Sequence, residues 1–159
     1  KTIVVASTVG GTAGKAVDVF KGYKVVVVTH TAGFREPNSQ EFTGENRKAV
    51  EKKGGIILTA THALGGIHRS LAPASAPPPP SQAIGDIAAM TLRTFGQGMK
   101  VCLEVAAMAA DAGLVRTDEE VISIGGTGRG ADTAVVLAPS YVHRFFATRV
   151  KELICKPRL

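Results

Sequence analysis

Residues 2–29 read TIVVASTVGGTAGKAVDVFKGYKVVVVT, and this stretch decides the fold. Residues 2–6 (TIVVA) and 25–29 (VVVVT) are unbroken apolar, largely β-branched runs bounded by Gly and polar residues. Such runs suit strands covered on both faces, and therefore a parallel sheet. Between them, residues 12–20 place Ala13, Ala16, Val17 and Phe20 at helical spacing, with Gly22 as the stop. The whole is one βαβ unit, long enough for a single right-handed crossover.

Working outward, Asn38 with Glu41 fits a capping box, and the spacing predicts a helix interrupted near Gly44 and resumed over 46–53 until Gly54-Gly55. Residues 56–59 (IILT) form the third strand candidate, and residues 62–70 read as an irregular, Gly-containing segment. Residues 71–81 (LAPASAPPPPS) cannot continue a helix or a ladder, because each Pro lacks a donor and restricts its predecessor. They read as a loop or spacer, with a proline-motif ligand for a partner as the alternative. Apolar segments of helical length at 84–95 and 99–112, parted by Gly96-Gln97-Gly98, predict an αα-hairpin. Residues 121–125 (VISIG), 134–137 (AVVL) and 153–155 are strand candidates, and 140–150 reads as a helix. The expectation is one α/β domain over residues 1–159.

The composition agrees. The chain is 45% hydrophobic with 18 Gly and no Trp, so small aliphatic residues must build its core. A net charge of +6 favours anionic partners, yet Lys and Arg are scattered rather than gathered into a stripe with interleaved aromatics. This places small phosphate-bearing metabolites ahead of nucleic acid. No apolar run approaches a membrane span or a signal peptide, and Cys102 and Cys155 read as reduced, buried thiols without CxxC spacing, so a cytoplasmic protein is expected. The chain opens on Lys rather than Met, and an N-terminal piece before it is expected.

Chemistry concentrates after the strands. Ser7-Thr8-Val9-Gly10-Gly11-Thr12 follows the first strand and leads into a helix, the arrangement in which free N–H groups and hydroxyls hold phosphate. It is no Walker motif: residues 10–16 read GGTAGKA, one residue short and with Ala where the metal-binding hydroxyl belongs. After VISIG comes Gly125-Gly126-Thr127-Gly128-Arg129-Gly130-Ala131-Asp132, in which a low Gly-rich loop presents one guanidinium. It contains GxG but not GxGxxG, and a strand rather than a helix follows, so the dinucleotide fingerprint fails. Asp132 could pair with Arg129, orient the loop or meet a ligand hydroxyl. Thr29, His30, Thr31, Ala32, Gly33, Phe34 and Arg35 follow the second strand, and Thr59 to His62 with Arg69 follows the third, so these segments could converge beyond the strand ends. Two His without a carboxylate cluster make a poor metal site, and hydrogen bonding is their expected role. Glu104 and Asp111, seven apart on one apolar helix, should be buried and neutralised by Arg or Lys elsewhere in the domain.

Taken in order, VVAST-x-GGTA, VVVVTHTAGF, FGQGMKVCLEVAAMAADAG, IGGTGRGADTAVVL and ELICKPR resemble a small family known as pyruvate kinase α/β-domain-like proteins. The resemblance implies a three-layer α/β/α fold with a mostly parallel sheet, like the allosteric C-terminal domain of pyruvate kinase. It implies no kinase chemistry, since the catalytic barrel has no counterpart. It also implies flavin mononucleotide (FMN) as the leading ligand. The phosphate would fall to Ser7, Thr8, Gly10, Gly11 and Thr12. The flavin ring or ribityl chain would meet His30 to Phe34, including Thr31 and Gly33, His62, and Gly126, Thr127, Gly128 and Arg129, with Thr29 and Asp132 also expected to bind the cofactor. Family members carry a further N-terminal strand and helix, and the prolines at 77–80 depart from their pattern. A flavin-dependent oxidoreductase is the alternative, a structural or oligomerisation module without ligand is the third reading, and a homo-oligomer is a further expectation.

Overall fold

The computed structural model describes residues 1–66 and 84–158. The elements run β1 (Thr2–Ala6), α1 (Gly11–Val19), β2 (Lys24–Thr29), α2 (Gly44–Lys52), β3 (Ile56–Thr59), α3 (Ile84–Arg93), α4 (Gln97–Asp111), β4 (Val121–Gly125), β5 (Thr133–Ala138), a 3-10 segment at Val142–Ala147, and β6 (Arg149–Cys155). The segment around Arg69 and the proline run at 71–81 lie outside the described residues.

The strands form one six-stranded mixed sheet in the order β3-β2-β1-β4-β5-β6. β3, β2, β1 and β4 pair in parallel, whereas β4 with β5 and β5 with β6 pair antiparallel. Side chains alternate between the faces of a strand, so the valine- and isoleucine-rich runs of β1 and β2 feed two cores. Ile3, Val5, Val25 and Val27 pack with Ala13, Ala16 and Val17 of α1 and Val50 of α2. Val4, Val26 and Val28 pack on the other side with Cys102, Val105, Ala106 and Ala109 of α4. α4 is buried along most of its length, which explains its lack of a polar face. Burial alternates along β4 and β5, with Val121, Val135 and Leu137 under α4 and Ile122, Ile124 and Val136 half-exposed, Ile122 and Ile124 lying against the edge of the α1-side core. Among the described residues, no helix is long and apolar enough to cross a membrane.

Four expectations are corrected. Asn38 is no helix cap: its φ is 60°, and the amide of Ser39 donates to the Glu36 carbonyl at 3.1 Å. Glu36-Pro37-Asn38-Ser39 is therefore a turn of type II pattern, with Pro fixing the second position and Asn tolerating the left-handed third. Thr43 caps α2 instead, its hydroxyl accepting from the Asn46 amide at 3.2 Å. Residues 140–150 do not form a helix, because the aromatic and β-branched run makes only 3-10 turns, broken at Arg144 (φ −127°), before β6 begins at Arg149. Cys155 is exposed on edge strand β6; Cys102 alone is buried. Burial pushes the Cys102 thiol up to about 12. Glu104 finds its cation on its own helix, in a buried ion pair with Lys100, while Asp111 is exposed and accepts from the Val142 amide at 3.0 Å.

Candidate functional site

The chain goes from β1 through β2 to β3 on one side, then returns across α3 and α4 to place β4 on the other side of β1. The strand order reverses between β1 and β4, and a crevice opens beyond the carboxyl ends of parallel strands at such a point. A cleft of about 1080 Å³ lies there, bordered by the loops after β1, β2 and β4, the start of α1 and the inward side of α4.

The loop after β1 forms the first wall. Gly10 precedes α1 with φ 113°, a conformation that L side chains rarely adopt, and a Cβ there would stand 2.4 Å from the Cβ of Asn46. Asn46 in turn donates to the Val9 carbonyl at 2.8 Å, so α2 braces the loop. The first amides of a helix have no intrahelical acceptor. That of Ala13 is taken by the buried Ser7 hydroxyl at 3.2 Å, and the regular helical ladder begins with the Gly14 amide donating to the Gly10 carbonyl at 2.9 Å. Gly11 and Thr12 border the cleft, no acidic residue occupies the first turn of α1, and Lys15 stands one turn further along the same wall.

The loop after β4 forms the opposite wall. A Cβ on Gly126 would stand 2.1 Å from the Gly130 carbonyl oxygen, so the loop can fold back on itself only with glycine there. Asp132 closes it. Its carboxylate accepts from the Thr127 amide at 2.9 Å and the Thr133 hydroxyl at 2.6 Å, and the Asp132 amide donates to the Gly125 carbonyl at 3.0 Å. Burial works against ionisation of Asp132, but the bonds from Thr133 and Thr127 outweigh it and hold its pKa below the usual range. Of the three roles open to Asp132, orienting the loop is the one these contacts describe. The same carboxylate lies against the start of α4, since a Cβ on Gly98 would meet its Oδ1 at 2.5 Å. The positive end of α4 thus has a resident anion beside it, whereas the first turn of α1 does not.

The third wall is aromatic and titratable. The His30 ring lies 4.3 Å from that of Phe34 and 5.1 Å from that of His62 by centroids. His30 Nδ1 contacts Glu41 Oε2 at 2.7 Å, and His30 Nε2 lies 3.5 Å from the Thr8 hydroxyl. The hydrogen bond from His30, assisted by Arg35, holds the Glu41 carboxyl below its usual range against the opposing effect of burial. Arg35 Nε stands 3.5 Å from the other Glu41 oxygen. An ionised carboxylate only accepts, so Nδ1 carries the proton shared with Glu41, which leaves Nε2 as the ring nitrogen toward Thr8.

Of the residues expected from sequence, Ser7, Thr8, Gly11, Thr12, Thr29, His30, Phe34, His62, Gly126, Gly128 and Arg129 gather around this one cleft. Thr29 reaches it with its hydroxyl already shared between the His30 carbonyl and Thr59, each at 2.8 Å. Gly10, Thr31, Gly33, Thr127 and Asp132 do not line it. Gly10, Thr127 and Asp132 shape the loops that do, Thr31 bonds the neighbouring Ala32 carbonyl, and Gly33 turns the chain at φ 73°. Arg35, at the end of the segment expected to follow β2, lines the cleft as well, whereas sequence reasoning missed Lys15, Glu41, Arg93 and the Lys100–Glu104 pair as wall residues. Lys15 carried a signal, its one-turn spacing from Gly11; Glu41 carried none, because its partner lies across a turn. Basic wall residues Lys15, Arg35, Arg93, Lys100 and Arg129 outnumber Glu41 and Glu104, so the cleft suits an anion. Among the described residues, no group of three or more His, Cys, Asp or Glu could hold a metal ion. No protein-family model matches the chain.

Proposed function

We propose that this protein binds a small phosphate-bearing ligand in the strand-end cleft, with FMN the leading candidate, and serves a ligand-dependent regulatory role. The observation that carries the reading is the start of α1: Gly11 and Thr12 border the cleft, the first turn holds no acidic residue, and Lys15 and Arg129 line the same space. A helix start of this kind attracts phosphate through its N–H groups and its dipole.

The residues also suit FMN in size and character. A cleft of about 1080 Å³ accommodates a ligand of that class, which typical pockets of roughly 300–1,000 Å³ already do. Gly11, Thr12, Lys15 and Arg129 would hold the phosphate, and the rings of Phe34, His30 and His62 would offer a stacking wall to the flavin. When bound, a flavin supplies hydride and single-electron chemistry, while the protein contributes orientation and hydrogen bonds. At the level of fold, the helices packed on both faces of the sheet support a three-layer arrangement like the C-terminal domain of pyruvate kinase.

The test is the affinity of Thr12→Ala and Arg129→Ala for FMN by isothermal titration. Each should weaken binding by about 1–3 kcal/mol, the range for hydrogen bonds to charged groups. Unchanged affinity in both would remove the site.

A further inference from the structure

Binding alone leaves one arrangement unused. Thr8, His30 and Glu41 form a chain of hydroxyl, imidazole and carboxylate, with contacts of 3.5 Å and 2.7 Å, at the wall where Gly11 and Thr12 also stand. A hydroxyl facing a base whose far nitrogen is fixed by a carboxylate is the constellation that activates alcohols as nucleophiles. Spacing looser than a full hydrogen bond between nucleophile and base is common before substrate enters.

We infer that Thr8 is a nucleophilic hydroxyl and that the cleft hydrolyses phosphomonoesters, with His30 as general base and Glu41 as the positioning residue that fixes the imidazole. The inference rests on the proposed phosphate site and extends it from holding the group to transferring it. Thr8 Oγ attacks phosphorus while its proton passes to His30 Nε2. The P–O bond to the ester oxygen breaks, and His30 returns the proton to the departing alcohol. Water, deprotonated by His30, then attacks phosphorus, the P–Oγ bond to Thr8 breaks, and His30 returns the proton to Oγ, which releases inorganic phosphate and restores the Thr8 hydroxyl. No redox partner is needed. The α1 start, Lys15 and Arg129 supply positive potential for the non-bridging oxygens. Two features of the wall favour His30 over His62 as the base. Glu41 orients His30, and the backbone around it is held by Gln40, whose side chain donates to the His30 carbonyl at 3.2 Å.

The test uses the full chain with p-nitrophenyl phosphate as substrate; because FMN is itself a phosphomonoester, its fluorescence is read separately with the Thr8→Val protein, which cannot turn it over, to report occupancy of the phosphate site. Wild type should release p-nitrophenolate, and an acid-quenched sample should carry phosphate on the peptide containing Thr8. Thr8→Val should lower kcat by at least ~100-fold and Thr8→Ser should retain it within ~10-fold, as expected when a general base works through the hydroxyl. Glu41→Gln should lower kcat by about 10- to 100-fold with KM nearly unchanged, which a merely structural residue would not do. FMN binding without release of p-nitrophenolate, or a Thr8→Val variant as active as wild type, would overturn the inference while leaving the binding site standing. Failure to bind FMN and failure to turn over substrate together would overturn both.

Discussion

Glu41 lies twelve residues past the end of β2, yet it meets His30 because the turn at Glu36–Ser39 folds the chain back on itself. Its pKa is lowered in the folded state, foremost by the hydrogen bond with His30. A carboxyl with a depressed folded value adds stability that is fully present above its unfolded value, about 4.3, and is lost as pH falls through the folded value. Wild-type stability should therefore drop more steeply than that of Glu41→Gln in urea melts taken downward from about pH 4.5, and the two curves should converge at lower pH. Parallel curves across that window would contradict the His30–Glu41 contact. This residue also marks a limit of sequence reading. Asn38 and Glu41 have the spacing of a capping box, but Pro37 before Asn38 makes the competing turn, and only the folded backbone decides between the two. Ser7, Thr8 and His30 were legible as cleft residues because they directly follow strands, and Arg129 because it sits in the Gly-rich loop after one, whereas the partner of His30 depended on a long loop.

Among the elements, β1, α1, β2, β3, α4, β4 and β5 were legible, since continuous β-branched runs and a long apolar helix admit few other readings. The segment before β6 was not, because its aromatic residues have helical spacing but poor helical propensity. How α4 docks on the sheet was equally hidden, for it depends on missing atoms. A Cβ on Gly98 would lie 2.1 Å from the Thr133 hydroxyl, and one on Gly125 would lie 2.8 Å from the Gly98 carbonyl. Gly98→Ala should cost about 1–3 kcal/mol in chemical denaturation, as overpacking does. Gly11→Ala, where an added Cβ meets nothing within 4 Å, should stay within about 0.5 kcal/mol of wild type. Equal losses at the two positions would contradict the close seating of α4 against β4 and β5.

For the whole molecule, two facts act together. The switch in strand order between β1 and β4 opens the cleft, and the excess of basic over acidic side chains on its walls gives the cleft its sign. The net charge of +6 was visible in the sequence, but its concentration around one space was not, because Lys15, Arg35, Arg93 and Arg129 come from four separate segments. If the cleft is a phosphate site, the phosphate rather than the flavin ring must supply much of the affinity. The decisive comparison is therefore a titration of the purified Thr8→Val protein, which leaves FMN intact, with FMN and, in parallel, with riboflavin, followed by flavin fluorescence. FMN should bind in the micromolar range with riboflavin at least ~10-fold weaker, a difference of about 1.4 kcal/mol for the phosphate; equal affinities, or no binding of either, would contradict a phosphate site at the start of α1.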